Sequence, residues 1–319
     1  MSYVDAYYDR DSDLISVVER DKEGRRHFKE YAAKYLFYYQ DPKGKYVSTH
    51  GVPLSRVSCK NLKEFHKELK IHGSQKLYES DINPIFRCLE ENYLNVDAPK
   101  LNVAFFDIEV DFDPERGYAS PEDAFMPITS IAVHLQWLNT LICLAIPPKT
   151  MTMAEAEKAV AEFPNTYLFD NEADLLDNFL TLIEDADVLS GWNSEGFDIP
   201  YTVNRVTKVL SKEDTRRFCL WNQFPKKREY EKYGKTAITY DLVGRVHLDS
   251  LNFIESTHMK KDTPIDWMPS VKWKSEKTKQ STKVHWINST TMTSVNSSNT
   301  TDKTQLCWTS STKNYSSWI

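Results

Sequence analysis

The chain has 319 residues, of which 40% are hydrophobic and 13% aromatic, with only 9 Gly and 14 Pro; this is enough apolar material for packed cores and excludes a wholly disordered polypeptide. A mean hydropathy of −0.55, with no apolar run near 18 residues, excludes a membrane-spanning helix, and the start MSYVDAYYDRDSD has no basic-then-apolar leader, so the cytoplasm is the expected compartment. A net charge of −6, from 40 basic and 46 acidic residues, excludes a histone-like polyanion coat but not a nucleic-acid enzyme, and five cysteines without a CxxC pair exclude a disulfide framework and a structural zinc site.

The length has room for about two domains. Tyr3–Tyr8 and Leu14–Val18 alternate as strands around an acidic turn, Asp9–Asp13. Glu30–Gln40 is aromatic-rich and reads as one further strand. Asn61–Lys70 sets Leu62, Phe65 and Leu69 at helical spacing, and a second helix is expected over Asn83–Tyr93. Residues 1–100 thus form a small α+β domain without a catalytic signature. From Leu101 the expected order is strand, strand, strand, helix, strand, helix, strand, helix. The strands are NVAFFDIEV, ITSIAVHLQWL, NTLICLAI, TYLFD at an edge, and ADVLSGWN. The helices cover Ala154–Glu162, Asn171–Glu184 and Ile199–Leu210. Such alternation predicts an α/β sheet covered on both faces.

In FFDIEV, Asp107 and Glu109 stand two apart, so a strand points both carboxylates to one face. Two carboxylates repel at close range, and a hard divalent cation such as Mg²⁺ or Mn²⁺ relieves that repulsion. Taken alone, a DxE is far more often a solvated strand face or a strand end than a metal site. The second signal is SGWNSEGFDIPYTVNRV, Ser190 to Val206. A strand ends at Gly191–Trp192, a tight loop carries Asn193, and Phe197–Asp198 open a helix with Pro200 in its first turn. Asp198 there is favoured by the helix dipole and would serve as a simple cap.

Together the two signals are far more specific. DIE on a strand followed by N-x-x-x-F-D resembles the first two exonuclease motifs of the family B DNA polymerases. The span from Leu101 to Phe253 is similar to the proofreading domain of the tailed-phage, T-even-like branch. The resemblance implies an RNase H-like 3′→5′ exonuclease domain over 101–255, a mixed sheet flanked by helices. It would follow a small N-terminal α+β domain of the polymerase type. Asp107, Glu109 and Asp198 match the metal-binding catalytic carboxylates, and Asn193 and Phe197 match positions lining the site for the 3′-terminal nucleotide. Two Mg²⁺ (or Mn²⁺) ions would hydrolyse the terminal phosphodiester of single-stranded or frayed DNA. A primer 3′ end is the implied partner, a sliding clamp is implied by family alone, and a phage-infected bacterium is the implied host.

The family's third motif, Y-x-x-x-D, is absent after Ser256. Residues 256–319 hold 12 Ser, 12 Thr and five of the eight Trp, but one Leu and no Ala, Gly, Phe or Arg. That composition fits neither a linker nor a folded domain. Moving the codon boundaries by two bases explains it. Asp266-Trp267-Met268-Pro269 then forces Leu-Asp-Ala, His285-Trp286-Ile287 and Cys307-Trp308-Thr309 each force Leu-Asp, and the shifted string can be written with YNRQD at the expected distance. We therefore expect a frame slip near Glu255–Thr257, an unstructured out-of-frame tail, and a fragment of a polymerase without fingers, palm or thumb. Two rivals are a stand-alone exonuclease of the same fold and a nucleic-acid-binding module with a dead site. PKKR at Pro225–Arg228, with Lys232 and Lys235, reads as a basic loop that either touches phosphates or is simply solvated.

Overall fold

The computed structural model describes residues 1–232 and 235–252. The tail from Ser256, with the frame slip expected near Glu255–Thr257 and the third motif, lies outside the described residues. The chain divides into two compact units, Met1–Leu101 and the part beginning at Asn102.

In the first unit, β1 (Ser2–Asp9), β2 (Leu14–Arg20) and β3 (Arg26–Ala32) form an antiparallel sheet in that order. The second sheet contains β4 (Tyr35–Gln40), β5 (Tyr46–Val47), β6 (Pro53–Cys59) and β7 (Leu77–Tyr78), ordered β5-β6-β4-β7. The single strand expected over Glu30–Gln40 is in fact two strands in different sheets, because its residues serve different cores. Tyr31 packs with Ile15, Val17, Cys88 and Tyr93, whereas the Phe37 ring meets Phe65 at 5.9 Å. The chain changes sheets at Ala33, whose N–H donates to the Asp13 carbonyl at 2.8 Å. Helices α1 (Leu62–Ile71) and α2 (Pro84–Tyr93) occur as expected. Asn61 accepts from Glu64 N at 2.9 Å and Glu64 reaches back to Lys60 N at 2.7 Å, which fixes where α1 starts.

The second unit is built on β8 (Val103–Val110), β9 (Ile128–Leu135), β10 (Thr140–Ala145), β11 (Thr166–Leu168), β12 (Val188–Gly191) and β15 (Val246–Asp249), ordered β11-β10-β9-β8-β12-β15. β9 runs antiparallel to both neighbours, and the remaining pairs are parallel. An antiparallel three-strand meander continued by parallel strands on the β8 side is the expected RNase H-like arrangement. Ala104, Phe106 and Ile108 point to the face where α4 (Glu172–Leu182) and α5 (Asp198–Val209) supply Leu175, Leu176, Phe179, Ile199, Val203 and Val206. These two helices cover that face of the sheet. α3 (Met153–Val160) starts with a capping box between Thr152 and Glu155.

Two further features lie outside the sequence reading. PKKR is not in a loop: Lys226–Lys232 is β13, paired antiparallel with β14 (Lys235–Asp241). Residues 226–229 of β13 are exposed, so no buried face impresses an apolar period on KKREYEK; the buried side chains of the ribbon, Ile238 and Thr239, are on β14. Gly244 and Arg245, which the motifs left unexplained, shape the turn into β15. Gly244 has φ +83, and an added Cβ would lie 2.7 Å from Leu220 Cβ. Arg245 is buried and donates to the carbonyls of Ile183 and Glu184 at 2.7 Å each, satisfying carbonyls that α4 leaves free at its C-terminal end.

Candidate active site

β8 and β12 lie side by side and parallel, with Val188 opposite Val103 and Ser190 opposite Phe105. Their pairing stops there. β12 turns away at Gly191, a residue that must be glycine because a Cβ would sit 2.7 Å from the Phe106 carbonyl and 3.0 Å from Ser194 Cβ. The next group on that edge of β8, the Ile108 N–H, has no strand to pair with. Asp198 Oδ1 accepts it at 3.1 Å. The first residue of α5 is thereby fixed against the backbone between Asp107 and Glu109, ninety positions earlier in the chain. A helix-capping role does not account for that bond, and the start of α5 has no side-chain cap from Phe197.

Asp107 is half-buried and Glu109 exposed on the same face of β8, and Asp198 is 4% exposed. The Asp198 pKa lies well above the ordinary 3.8, first because of burial and then because of the negative charge of Asp107, with a smaller push from Asp249; the Ile108 N–H works the other way. A divalent cation is the partner that would favour its carboxylate against both burial and the Asp107 charge. The donor chemistry, hard oxygens only, fits Mg²⁺ or Mn²⁺. Among the described residues, however, no three His, Cys, Asp or Glu side chains gather closely enough to hold an ion.

The loop from β12 to α5 has a fixed shape. Asn193 adopts φ 56, and its carbonyl accepts from Gly196 N at 3.1 Å and Phe197 N at 3.0 Å. The Asn193 side chain lies on Gly196, where a Cβ would meet Oδ1 at 2.9 Å. Asn193 and Phe197 are both partly buried, and the Phe197 ring leans on Tyr201 at 5.2 Å. β15 supports the loop from below: His247 Nε2 pairs with Ser194 Oγ at 2.9 Å, and Asp249 Oδ2 accepts Glu195 N at 2.8 Å. Burial lowers the pKa of His247 below the usual imidazole value, against the opposing charge of Asp249.

A family model described as DNA polymerase family B, exonuclease domain, matches residues 58–263. The chain belongs to the family B DNA polymerases. Among curated relatives, the DNA-directed DNA polymerase of Escherichia phage RB69 is 28% identical over 252 residues, which is 70% of this chain and 28% of the relative. That of Enterobacteria phage T4 is 37% identical over 86 residues, 26% of this chain and 10% of the relative. The DNA polymerase catalytic subunit of Saimiriine herpesvirus 2 is 28% identical over 118 residues, 35% of this chain and 11% of the relative. The chain thus spans little more than a quarter of the RB69 polymerase. Among the described residues of this family B chain, no helix is long and apolar enough to cross a membrane.

The polymerase signature also contains residues that sequence reasoning left without a role. In PYTVNRV, Tyr201, Asn204 and Arg205 follow helical spacing and reach the β8–β9 loop: Tyr201 Oη donates to Met126 O at 2.7 Å, Asn204 Nδ2 to Pro121 O at 2.6 Å and Arg205 Nη1 to Ala124 O at 3.0 Å. Arg205 also forks onto Glu172, its Nε at 2.9 Å from Oε1 and its Nη2 on Oε2. Glu172 in turn accepts Ile128 N at 2.8 Å, at the start of β9. The helix that carries Asp198 is thereby locked to the strand that pairs with Asp107. The i, i+3, i+4 spacing was visible in the sequence; the carbonyl partners, some eighty residues upstream, were not.

Proposed function

We propose that this chain carries the proofreading 3′→5′ exonuclease region of a DNA-directed DNA polymerase, acting on the 3′ end of single-stranded or frayed DNA. The observation that carries it is the Asp198–Ile108 bond, which brings the second acidic motif onto the strand of the first. Asp107, Glu109 and Asp198 are the residues proposed to hold the cation pair, Mg²⁺ or Mn²⁺. Divalent ions bound there supply Lewis acidity, lowering the pKa of an attacking water and neutralising charge on the departing 3′ oxygen. The chain's own part is geometric. β8 presents two carboxylates on one face, α5 fixes the third, and the Asn193–Phe197 loop lines the position of the terminal nucleotide. The proposed domains are 1–100 as the polymerase-type N-terminal domain, 101–255 as an incomplete exonuclease domain, and 256–319 as an out-of-frame tail. The codons that the frame argument forces support the last, and resequencing across codons 245–319 tests it. The processivity clamp and the cytoplasm of an infected bacterium are proposals by family only.

The test is release of a 3′-labelled nucleotide from a single-stranded oligonucleotide with Mg²⁺ or Mn²⁺, by the parent chain and by Asp107→Ala. Metal-dependent release lost in the variant supports the reading. A second reading, a DNA-binding module with an incomplete metal site, is favoured by the lack of a three-acid cluster among the described residues. Metal-independent DNA binding with no nucleotide release would select it.

A further inference from the structure

Glu195 lies between Asn193 and Asp198 and has no role in the reading above. Its contacts are unusual for a loop acid only 21% exposed. Oε1 accepts from Arg228 Nη2 of β13 at 2.7 Å, Oε2 accepts from Asn252 Nδ2 just after β15, and its backbone N–H is the one donated to Asp249. Arg228 is itself oriented, its Nε held by Asp241 Oδ1 of β14 at 3.2 Å. One side chain therefore joins three parts of the sequence: the loop ahead of α5, the β13–β14 ribbon, and the segment following β15. Charge-assisted bonds of this kind are shorter and stronger than neutral ones. Here they act on a loop whose shape depends on a left-handed Asn193.

We propose that Glu195 is a positioning residue for the exonuclease site: with Arg228 it clasps the β12–α5 loop to the β13–β14 ribbon, and so sets where Asn193 and Asp198 stand. Glu195 reaches no reacting atom in this scheme; it acts through the loop. The inference rests on the exonuclease reading for its purpose, but the clasp itself does not.

Two measurements on the full chain separate these. The first is amide hydrogen exchange without metal at Glu195, Gly196, Phe197 and Ile199, with β9 amides as the reference, in Glu195→Ala, Arg228→Ala and the double variant. The clasp predicts roughly tenfold faster exchange at the loop amides in either single variant and no further gain in the double, because partners in one contact are non-additive. Glu195→Gln, which keeps an acceptor oxygen, should recover part of the protection. Unchanged loop exchange, or single effects that simply sum, overturns the proposal, and so does equal loosening of loop and β9. The second is Mn²⁺ affinity by electron paramagnetic resonance, where loss of an outer-shell support typically costs 10–100-fold. A parent that binds Mn²⁺ and a Glu195→Ala variant that binds it equally well also overturns the proposal. A parent that binds no Mn²⁺ sinks the exonuclease reading instead, and the exchange data still decide the clasp.

Discussion

Replacing Arg205 with Ala should strongly destabilise the second unit. Arg205 is 9% exposed, and its side chain and that of Glu172 are 11% and 10% exposed. Truncation removes both bonds to Glu172 and the bond to Ala124 O, and it leaves Glu172 buried with only the Ile128 N–H. Breaking a buried pair from one side costs about 3–5 kcal/mol, chiefly because the remaining charge is stranded. At about 1.4 kcal/mol per tenfold change, that predicts protection factors lower by roughly two to three and a half orders of magnitude. The assay is native-state hydrogen exchange at the β8 and β9 amides of Phe106, Ile131 and Val133, which reports the stability of this unit directly. The double variant Glu172→Gln, Arg205→Met should recover most of the loss, since a pair replaced from both sides leaves no orphan charge. Protection in Arg205→Ala within about threefold of the parent would refute the reasoning, because it would mean the pair is solvated and worth no more than a surface bridge.

The raised pKa of Asp198 fixes a sign for pH. A folded-state pKa above 3.8 stabilises fully below the unfolded value, and that stabilisation is lost as pH rises through the folded value. Without metal, Asp198→Asn should therefore gain Tm over the parent at pH 7–8 and lose that advantage near pH 3, while forfeiting Mn²⁺ binding at any pH. Gly191→Ala should push the ends of β8 and β12 apart, because its Cβ meets the Phe106 carbonyl at 2.7 Å; weaker Mn²⁺ binding at little cost to the first unit is the expected result, seen by titration beside exchange. Gly244→Ala should lower Tm by roughly 2–12 °C, from about 1–3 kcal/mol of overpacking at about 2–4 °C per kcal/mol, its φ of +83 adding to the clash with Leu220. Thiol reagents at pH 8 should modify Cys219, which is buried and whose pKa burial pushes up to about 11, more slowly than the half-buried Cys59, as read by mass spectrometry of the labelled protein.

The parts of this molecule legible in its sequence are those dictated by local rules. β8 was readable because its apolar residues and acids alternate, and α4 because Leu175, Leu176, Phe179 and Leu180 share one stripe. Family resemblance then paired Asp107 and Glu109 with Asp198. What could not be read is contact across distance. Nothing near Asp198 announces that its carboxylate satisfies Ile108, since that vacancy exists only because β12 ends early. Nothing in NRV says that Arg205 is buried, because its partner Glu172 precedes it by 33 residues. The β13–β14 ribbon escaped for the opposite reason: it is local, but it lacks the apolar period that marks a strand. Asp249 and Glu195 escaped because an acid that accepts a backbone N–H looks, in sequence, like any surface acid.

The parallel pairing of β8 with β12 has a consequence for how the chain acquires its site during synthesis. The meander of β8, β9 and β10 makes only short-range pairings and can form as it emerges. The partner of Val103 on β12 is Val188, 85 residues later, and at about 5–20 residues per second a ribosome needs roughly 4–17 s to deliver it. Until then the parallel edge of β8 is an open template beside two acids, and loop closure over that span makes its filling a slow, late event. The acids on β8 are thus made first and wait, and the site exists only once α5 arrives to place Asp198 among them.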